Sequence, residues 1–163
     1  AVLAVAWAAN VAVDYAIAEP PNYSQIEPGL YLGGSVPRPP RGVTAVLNLC
    51  EVEDRYTAEV HSWQPIADAA PAPDLAWLRR QVDFVREHRT AGRAMFVHCH
   101  AGVSRSAMVT AAFLMADRGL TRDEALRRLR EVRPQVRPNP AFMERLTEWE
   151  RELRSAPSRA CRT

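Results

Sequence analysis

Short apolar runs alternate along this chain with longer stretches in which apolar residues recur every three or four positions. The runs cover residues 26–34, 43–49, 63–66 and 94–97, and most of them lie beside glycine or proline. Runs of this length bounded by turn residues predict β-strands. The run at 43–49 is apolar without alternation, which is typical of a parallel strand covered on both faces.

Two of the longer stretches have clear helix signals at both ends. Asp74 is a candidate N-cap for the first helix, and Gly92 lies just past its apolar periodicity. The second helix is predicted to run from about Arg105 to Arg118 and to stop at Gly119. Their predicted inward positions are Leu75, Leu78, Val82, Val85, Met108, Val109, Ala112, Phe113 and Met115.

Two further helices follow. Thr121 and Glu124 have the spacing of a capping box, and Asn139 is the candidate N-cap of the last helix. The apolar positions at helical spacing are Ala125, Leu126, Leu129, Val132, Phe142, Leu146, Trp149 and Leu153. The order of the elements predicts a single-domain α/β fold, a layered and mostly parallel sheet with helices on both faces.

The two ends of the chain differ from its centre. Residues 1–13 are apolar apart from Asn10, a length too short to cross a bilayer. Three interpretations stay open: the end of an upstream transmembrane helix or signal sequence, a helix packed on the domain, or an interfacial anchor. We therefore divide the chain into an apolar segment and linker at 1–21, a catalytic domain at 22–155 and a tail at 156–163.

Composition excludes several classes of protein. The 163 residues are 47% hydrophobic with a net charge of +2, so the chain is globular and has no charge excess for binding nucleic acid. The arginines of the third predicted helix are expected on a solvated face: Arg127, Arg128, Arg130 and Arg133. Cys50, Cys99 and Cys161 have no metal-site or disulfide-framework spacing, so we expect neither a metal nor another cofactor.

The most informative segment lies between the strand at 94–97 and the helix from Arg105. A loop there begins at Cys99 and wraps around the helix N-terminus, where amide groups and the helix dipole favour an anion. Arg105 can give two parallel hydrogen bonds to a phosphate, and the same field lowers the pKa of the Cys99 thiol below its usual value of about 8.5. A thiolate beneath a bound phosphate predicts covalent phosphoryl transfer to cysteine.

Residues 97–106 resemble the cysteine-dependent protein phosphatases, most closely the dual-specificity group, and the resemblance extends over roughly residues 23–154. It implies a tyrosine-phosphatase-type mechanism in which Cys99 forms a phosphocysteine and Arg105 clamps the phosphate. Ser106 corresponds to the family hydroxyl that helps the thiolate leave. His98 corresponds to the residue that orders the loop and tunes the thiolate. The phosphate-binding residues would be His100, Ala101, Gly102, Val103, Ser104 and Arg105.

The leaving oxygen needs a proton, and a carboxylic acid upstream of the loop is the expected donor. Asp68 and Asp74 are the candidates. Asp74 is predicted to cap a helix, which would hold it ionised. Asp68 has no such role, and the resemblance places the family's acid at about its position. We therefore favour Asp68 and keep Asp74 as the alternative.

Cys50 ends the strand at 43–49, on the edge of the sheet where ligands bind in α/β folds. It could form a disulfide with an oxidised Cys99, although a buried cysteine without a role is the favoured interpretation. Cys161 in the tail is expected to be idle.

The substrate follows from what the loop lacks. Residues 100–104 contain no Lys or Arg, whereas relatives that act on phospholipids carry extra basic residues there. We expect hydrolysis of phosphotyrosine and phosphoserine/threonine in proteins, with phosphatidylglycerophosphate or phosphoinositide as the alternative substrates and a non-catalytic phospho-binding module as the alternative function. The expected location is cytoplasmic, with membrane association through residues 1–21 as an open alternative.

Overall fold

A computed structural model describes residues 21–155 of the chain. Residues 1–20 of the apolar segment and linker, with the three interpretations, and the tail at 156–163, with Cys161, lie outside the described residues. Within residues 21–155, no helix is both long and apolar enough to cross a membrane.

Five strands form one sheet: β1 Tyr23–Glu27, β2 Leu30–Gly33, β3 Ala45–Asn48, β4 Val60–Trp63 and β5 Met95–His98. Their order across the sheet is β1-β2-β5-β3-β4. β1 is antiparallel to β2, and every other pairing is parallel. The mostly parallel α/β fold predicted from the sequence is thus confirmed. Because β5 is the central strand, the loop that follows it starts in the middle of the carboxyl edge of the sheet.

Four helices accompany the sheet: α1 Leu75–Thr90, α2 Arg105–Arg118, α3 Arg122–Val132 and α4 Pro140–Ser155. Asp74 caps α1 by accepting a hydrogen bond of 2.7 Å from the amide of Trp77. Thr121 and Glu124 form the capping box of α3, and Asn139 accepts a bond of 3.0 Å from the amide of Phe142 at the start of α4. Gly119 ends α2 in the left-handed conformation. The N-caps predicted at Asp74, Thr121 and Asn139 and the helix stop predicted at Gly119 are therefore confirmed.

The helices all lie on one face of the sheet within the described residues, where the sequence predicted both faces. α2 packs against α1, α3 and α4, so the four form one connected layer. The shared core takes only alternate residues of the central strands, such as Leu47 from β3 and Val97 from β5. Their neighbours Val46 and Phe96 are equally buried but point to the second face, where Tyr23 and His98 pack on the Phe96 ring.

Two strands, and the burial of two residues at the end of α3, differ from the sequence expectation. The strand expected in 26–34, entered by a turn at Pro28 and Gly29, is β2, but β1 precedes that turn and pairs with β2 as a hairpin, with Gly29 at a φ of +74°. β4 lies three residues earlier than expected. Val132, predicted to point inward, is 46% exposed, whereas Arg133, predicted on a solvated face, is 2% exposed.

Candidate active site

The loop between β5 and α2 lies over the first turn of α2. It runs from Cys99, directly after β5, to Ser104, whose carbonyl accepts the helical bond from Met108. β2 and β3 flank β5 in parallel register, with Gly33 and Asn48 beside His98. The residues that follow these two strands therefore surround the loop.

The loop carbonyls point away from its centre. Each of the carbonyls from residue 100 to 103 accepts a hydrogen bond from outside the loop: His100 from the Ser35 amide at 2.9 Å, Ala101 and Gly102 from Arg133 at 3.0 and 2.7 Å, and Val103 from the Arg137 amide at 2.8 Å. Within residues 21–155, the amides of residues 100, 101, 103, 104 and 105 donate to no protein group. A ring of free amides at a helix N-terminus is suited to bind an anion.

Gly102 is the residue that lets this loop close on its support. Its φ is +68°, a region that favours glycine. A Cβ atom at this position would collide with the backbone of Gly33 and Gly34. The glycine is therefore required both by the turn and by the close approach of the hairpin β1–β2.

Cys99 lies at the bottom of the loop and is 2% exposed. Its Sγ accepts a hydrogen bond of 3.3 Å from the amide of Gly102 and lies 3.3 Å from Oγ of Ser106. Burial by itself raises the pKa of this thiol, but the bonds from the Ser106 hydroxyl and nearby amides, with the charge of Arg105, outweigh it and lower the pKa below the ordinary value. The arrangement favours a thiolate.

Arg105 begins α2 and is 6% exposed. Its Nη1 donates to Glu51 at 2.5 Å and to the carbonyl of Ile66 at 3.1 Å. Its Nε is buried and has no hydrogen-bond partner within residues 21–155. Glu51 thus holds one edge of the guanidinium and leaves a buried donor for a ligand.

The two candidate acids occupy different places. Asp68 is exposed and its Oδ1 accepts hydrogen bonds from the Ser104 hydroxyl at 2.6 Å and the Asn139 amide group at 2.8 Å. It is therefore tied to the phosphate loop. Asp74 is occupied as the N-cap of α1, as the sequence predicted. The structure brings Asp68, and not Asp74, into contact with a loop residue.

His98 belongs to a buried polar cluster. Its Nε2 lies 2.8 Å from Asp54, and the same Asp54 oxygen lies 3.0 Å from Nε2 of His61. The Tyr56 hydroxyl is 3.4 Å from His98 and its ring stacks on His61. Burial lowers the pKa of His98 although Asp54 opposes it, so the imidazole next to Cys99 is neutral at neutral pH.

Cys50 lies behind the loop. Its Sγ is 3.5 Å from the Ser35 hydroxyl, which in turn donates to the carbonyl of Cys99 at 3.4 Å. Burial raises the pKa of the Cys50 thiol, in contrast to Cys99. A disulfide between the two stays a prediction.

Sequence reasoning missed four residues of the site: Glu51, Asp54, Arg133 and Asn139 as the partner of Asp68. Glu51 and Asp54 follow the strand β3, and the carboxyl end of a parallel strand was a usable signal for them. Arg133 lies in the stretch that resembles the family, but no local signal indicated its burial, because its hydrogen-bond partners lie more than 30 residues away in sequence. Within residues 21–155, no cluster of three or more His, Cys, Asp or Glu side chains could hold a metal ion.

Comparisons with known proteins identify the family of this chain. The family model described as "Dual specificity phosphatase, catalytic domain" matches residues 38–152. Dual specificity protein phosphatase 12 of Rattus norvegicus is 36% identical over 144 residues, covering 81% of this chain and 41% of the relative. Dual specificity protein phosphatase 16 of Homo sapiens is 32% identical over 142 residues, covering 81% of this chain and 21% of the relative.

A solved structure also matches. The crystal structure of human DUSP28 superposes with a TM-score of 0.74 and 31% identity, covering 83% of this chain and 97% of that one. The chain spans less than half the length of the two curated relatives named above. The match of the family model over most of the chain and the identity to these relatives establish that the chain belongs to the dual-specificity phosphatases.

Proposed function

We propose that the chain is a cysteine-dependent phosphatase that hydrolyses phosphotyrosine and phosphoserine/threonine in proteins through a phosphocysteine at Cys99. One observation carries the proposal. The Cys99 sulfur, already hydrogen-bonded by the Gly102 amide, lies beneath a loop whose carbonyls are all tied outward. Such a site binds a phosphate dianion directly above a nucleophile.

Phosphate binding uses the loop amides and Arg105. The dianion accepts hydrogen bonds from the amides of residues 100–105 and from the buried Nε of Arg105, which has no partner in the described part of the chain. Glu51 holds the opposite edge of the guanidinium, so little side-chain entropy is lost when the ligand binds. Phosphorus is then placed next to the thiolate.

In the first chemical step, the Cys99 thiolate attacks phosphorus and the bond from phosphorus to the substrate oxygen breaks. Asp68, protonated, gives its proton to that oxygen, which leaves as an alcohol or phenol. The bond from the Ser104 hydroxyl supports this role because it holds Asp68 at the mouth of the loop. Asp68 ends the step as a carboxylate.

In the second step, water attacks the phosphocysteine while Asp68 takes a proton from that water. The bond between sulfur and phosphorus breaks and the electron pair returns to Cys99. Ser106, 3.3 Å from the sulfur, stabilises the departing thiolate with its hydroxyl. Inorganic phosphate leaves, and the free enzyme is restored without a net gain or loss of protons at Cys99.

The surroundings of the loop support a protein substrate. An open groove of about 660 Å³ runs beside it, with Asp68, Val103 and Met143 among its lining residues. The groove offers both polar and apolar contacts to residues next to a phosphorylated side chain. Residues 100–104 contain no Lys or Arg, so the loop has no additional positive side chain to bind the extra phosphates of a lipid headgroup.

We also propose residues 22–155 as the catalytic domain. The family model lies inside this range, at 38–152. Comparison of phosphate release by the full chain and by residues 22–155 tests the division. Equal turnover would support it, and loss of turnover with the shorter chain would extend the domain into residues 1–21 or 156–163.

The function is tested by phosphate release from a phosphotyrosine peptide, a phosphothreonine peptide, phosphatidylglycerophosphate and a phosphoinositide. Cys99→Ser serves as the matched inactive variant. We expect Cys99-dependent release from both peptides and little from the lipids. Release mainly from a lipid would replace the protein substrate with a phospholipid, and binding of phosphopeptide without release would indicate a phospho-binding module.

A further inference from the structure

Arg133 is a buried arginine that has no acidic partner among residues 21–155. It directly follows α3 and is 2% exposed. Within residues 21–155, no carboxylate oxygen lies within 4 Å of its guanidinium, whereas Arg105 is paired with Glu51. A buried and uncompensated charge is costly, so its presence calls for a reason.

All the hydrogen bonds of this guanidinium within the described residues go to oxygens around the phosphate loop. Nε donates to the carbonyl of Gly102 at 2.7 Å, and Nη2 donates to the carbonyl of Ala101 at 3.0 Å. Nη2 also donates to Oδ1 of Asn22 at 2.6 Å. The planar guanidinium therefore binds two consecutive carbonyls of the loop, and its hydrogen bond to Asn22 fixes its own position.

We propose that Arg133 is a positioning residue of the phosphate site, which holds the carbonyls of Ala101 and Gly102 away from the anion and supplies a second positive charge behind the loop. The proposal rests on the function proposed above and extends it. Arg133 acts on the bound phosphate through the loop and does not touch it.

The first part of the proposal concerns direction. A peptide unit presents either its N–H or its carbonyl to one side, so a carbonyl drawn outward turns the following amide inward. The amide that follows Ala101 belongs to Gly102, and it donates to the Cys99 sulfur at 3.3 Å. Arg133 thus maintains the donor that contacts the nucleophile. A lysine could not hold both carbonyls in the same way, because its ammonium lacks the planar fork.

The second part concerns charge. Burial lowers the pKa of Arg133, and the charge of the Cys99 sulfur acts in the opposite direction. The attraction is mutual, so a charged Arg133 favours the thiolate and the phosphate dianion. No carboxylate neutralises this charge within residues 21–155, and water does not screen a side chain that is 2% exposed.

The test uses Arg133→Met, Arg133→Lys and the control Arg128→Met, which removes the same charge from an exposed position of α3. Alkylation of Cys99 by iodoacetamide is followed against pH by mass spectrometry of the peptide that contains it. Protection of Cys99 by inorganic phosphate gives the affinity of the loop for an anion. Thermal melting checks that each variant is folded.

For Arg133→Met we expect the midpoint of the alkylation profile to rise by roughly one pH unit, equivalent to a tenfold loss of thiolate. Phosphate protection should weaken about tenfold. Arg133→Lys should raise the midpoint by less than Arg133→Met does, because the charge remains while the support of the Gly102 amide is lost, and it should still lose phosphate protection. Arg128→Met should match the wild type in both measurements.

A folded Arg133→Met variant with the wild-type midpoint and wild-type phosphate protection would overturn the proposal. If that variant does not fold, Asn22→Asp decides: Asn22 is exposed, and an aspartate there keeps the hydrogen bond while neutralising Arg133. We expect a higher midpoint than in Ser24→Asp, which adds the same charge two residues along the chain, and equal midpoints would overturn the proposal.

These measurements do not depend on turnover. If the wild type releases phosphate from no substrate while Arg133→Met changes both alkylation and phosphate protection, the proposed function fails and the role of Arg133 stands. If the wild type is an active phosphatase and Arg133→Met changes neither measurement, the proposed function stands and the role of Arg133 fails.

Discussion

The hydroxyl of Ser104 donates a hydrogen bond of 2.6 Å to the carboxylate of Asp68. A residue of the phosphate loop thereby holds the candidate acid, although the two are 36 residues apart in sequence. The Asn139 amide group donates a second hydrogen bond of 2.8 Å to the same carboxylate oxygen, so two hydrogen bonds hold the side chain at the mouth of the loop.

Asp68→Asn is expected to slow hydrolysis in proportion to the difficulty of the leaving group. An asparagine can accept the bond from Ser104 but has no proton to give the leaving oxygen. For aryl phosphates with poor leaving groups kcat/KM should fall by about 10²-fold, and for good leaving groups it should change little. Asp74→Asn is the matched control, since asparagine caps a helix as well as aspartate does. An equal loss with every leaving group would exclude Asp68 as the acid.

Ser106→Ala removes a hydrogen bond to the Cys99 sulfur at 3.3 Å. The pKa of Cys99 is lowered in part by this hydroxyl, so its removal destabilises the thiolate and raises that pKa. Activity that depends on the thiolate is lost as pH falls through the pKa, so the acid limb of the kcat/KM profile should move to higher pH, by about one unit.

The same variant should slow the second step, because the departing thiolate loses its donor. Rapid-quench measurement is then expected to show phosphoenzyme accumulating in a burst. Ser62→Ala, a change of the same size on β4, serves as the control. An acid limb at the wild-type position would contradict the assignment of Ser106.

Glu51→Gln should weaken substrate binding. Arg105 loses a charged partner that holds it in place at 2.5 Å. Because the Glu51 side chain is 61% exposed, solvent screens the pair and the effect is expected to be small, an increase in KM of about threefold with kcat nearly unchanged. Glu53→Gln removes the same charge from a neighbouring exposed position and controls for repulsion of the substrate. A KM that falls equally in both variants would show that Glu51 only repels the anion.

Asp54→Asn should lower the stability of the domain. The carboxylate is 8% exposed and faces two histidines, one of which, His98, is fully buried. The asparagine amide has no charged oxygen that accepts hydrogen bonds from both imidazoles. The free energy of unfolding should therefore fall by about 1–3 kcal/mol. Urea denaturation measures this loss, and Asp83→Asn, which breaks an exposed pair on α1, should cost far less. Equal losses would mean that the cluster contributes no more than a surface ion pair.

The parts of the fold that could be predicted are those governed by neighbours in sequence. Helix α2 begins at Arg105 and ends at Arg118, just before Gly119, as expected, because the run of apolar residues and the left-handed glycine are local signals. The caps Asp74, Thr121 and Asn139 were found for the same reason. The loop after Cys99 was predictable because strand, loop and helix are contiguous.

The parts that were missed depend on distant contacts or on weak patterns. The edge strands β1 and β4 are half exposed, so their apolar pattern is incomplete. Arg133 was expected in solvent because three arginines before it are exposed, and only the carbonyls of a loop 31 and 32 residues away explain its burial. The burial of a polar side chain is decided by its partners rather than by its own polarity.

The hydrogen bond from Arg133 to Asn22 joins residues 111 positions apart. The loop that holds the nucleophile is therefore supported both by the residue before β1 and by the residue after α3. A random screen for inactive variants should accordingly recover changes near residues 22 and 133 together with those around Cys99. A map of such variants would show three separate stretches of sequence, although the residues concerned form one connected patch in space.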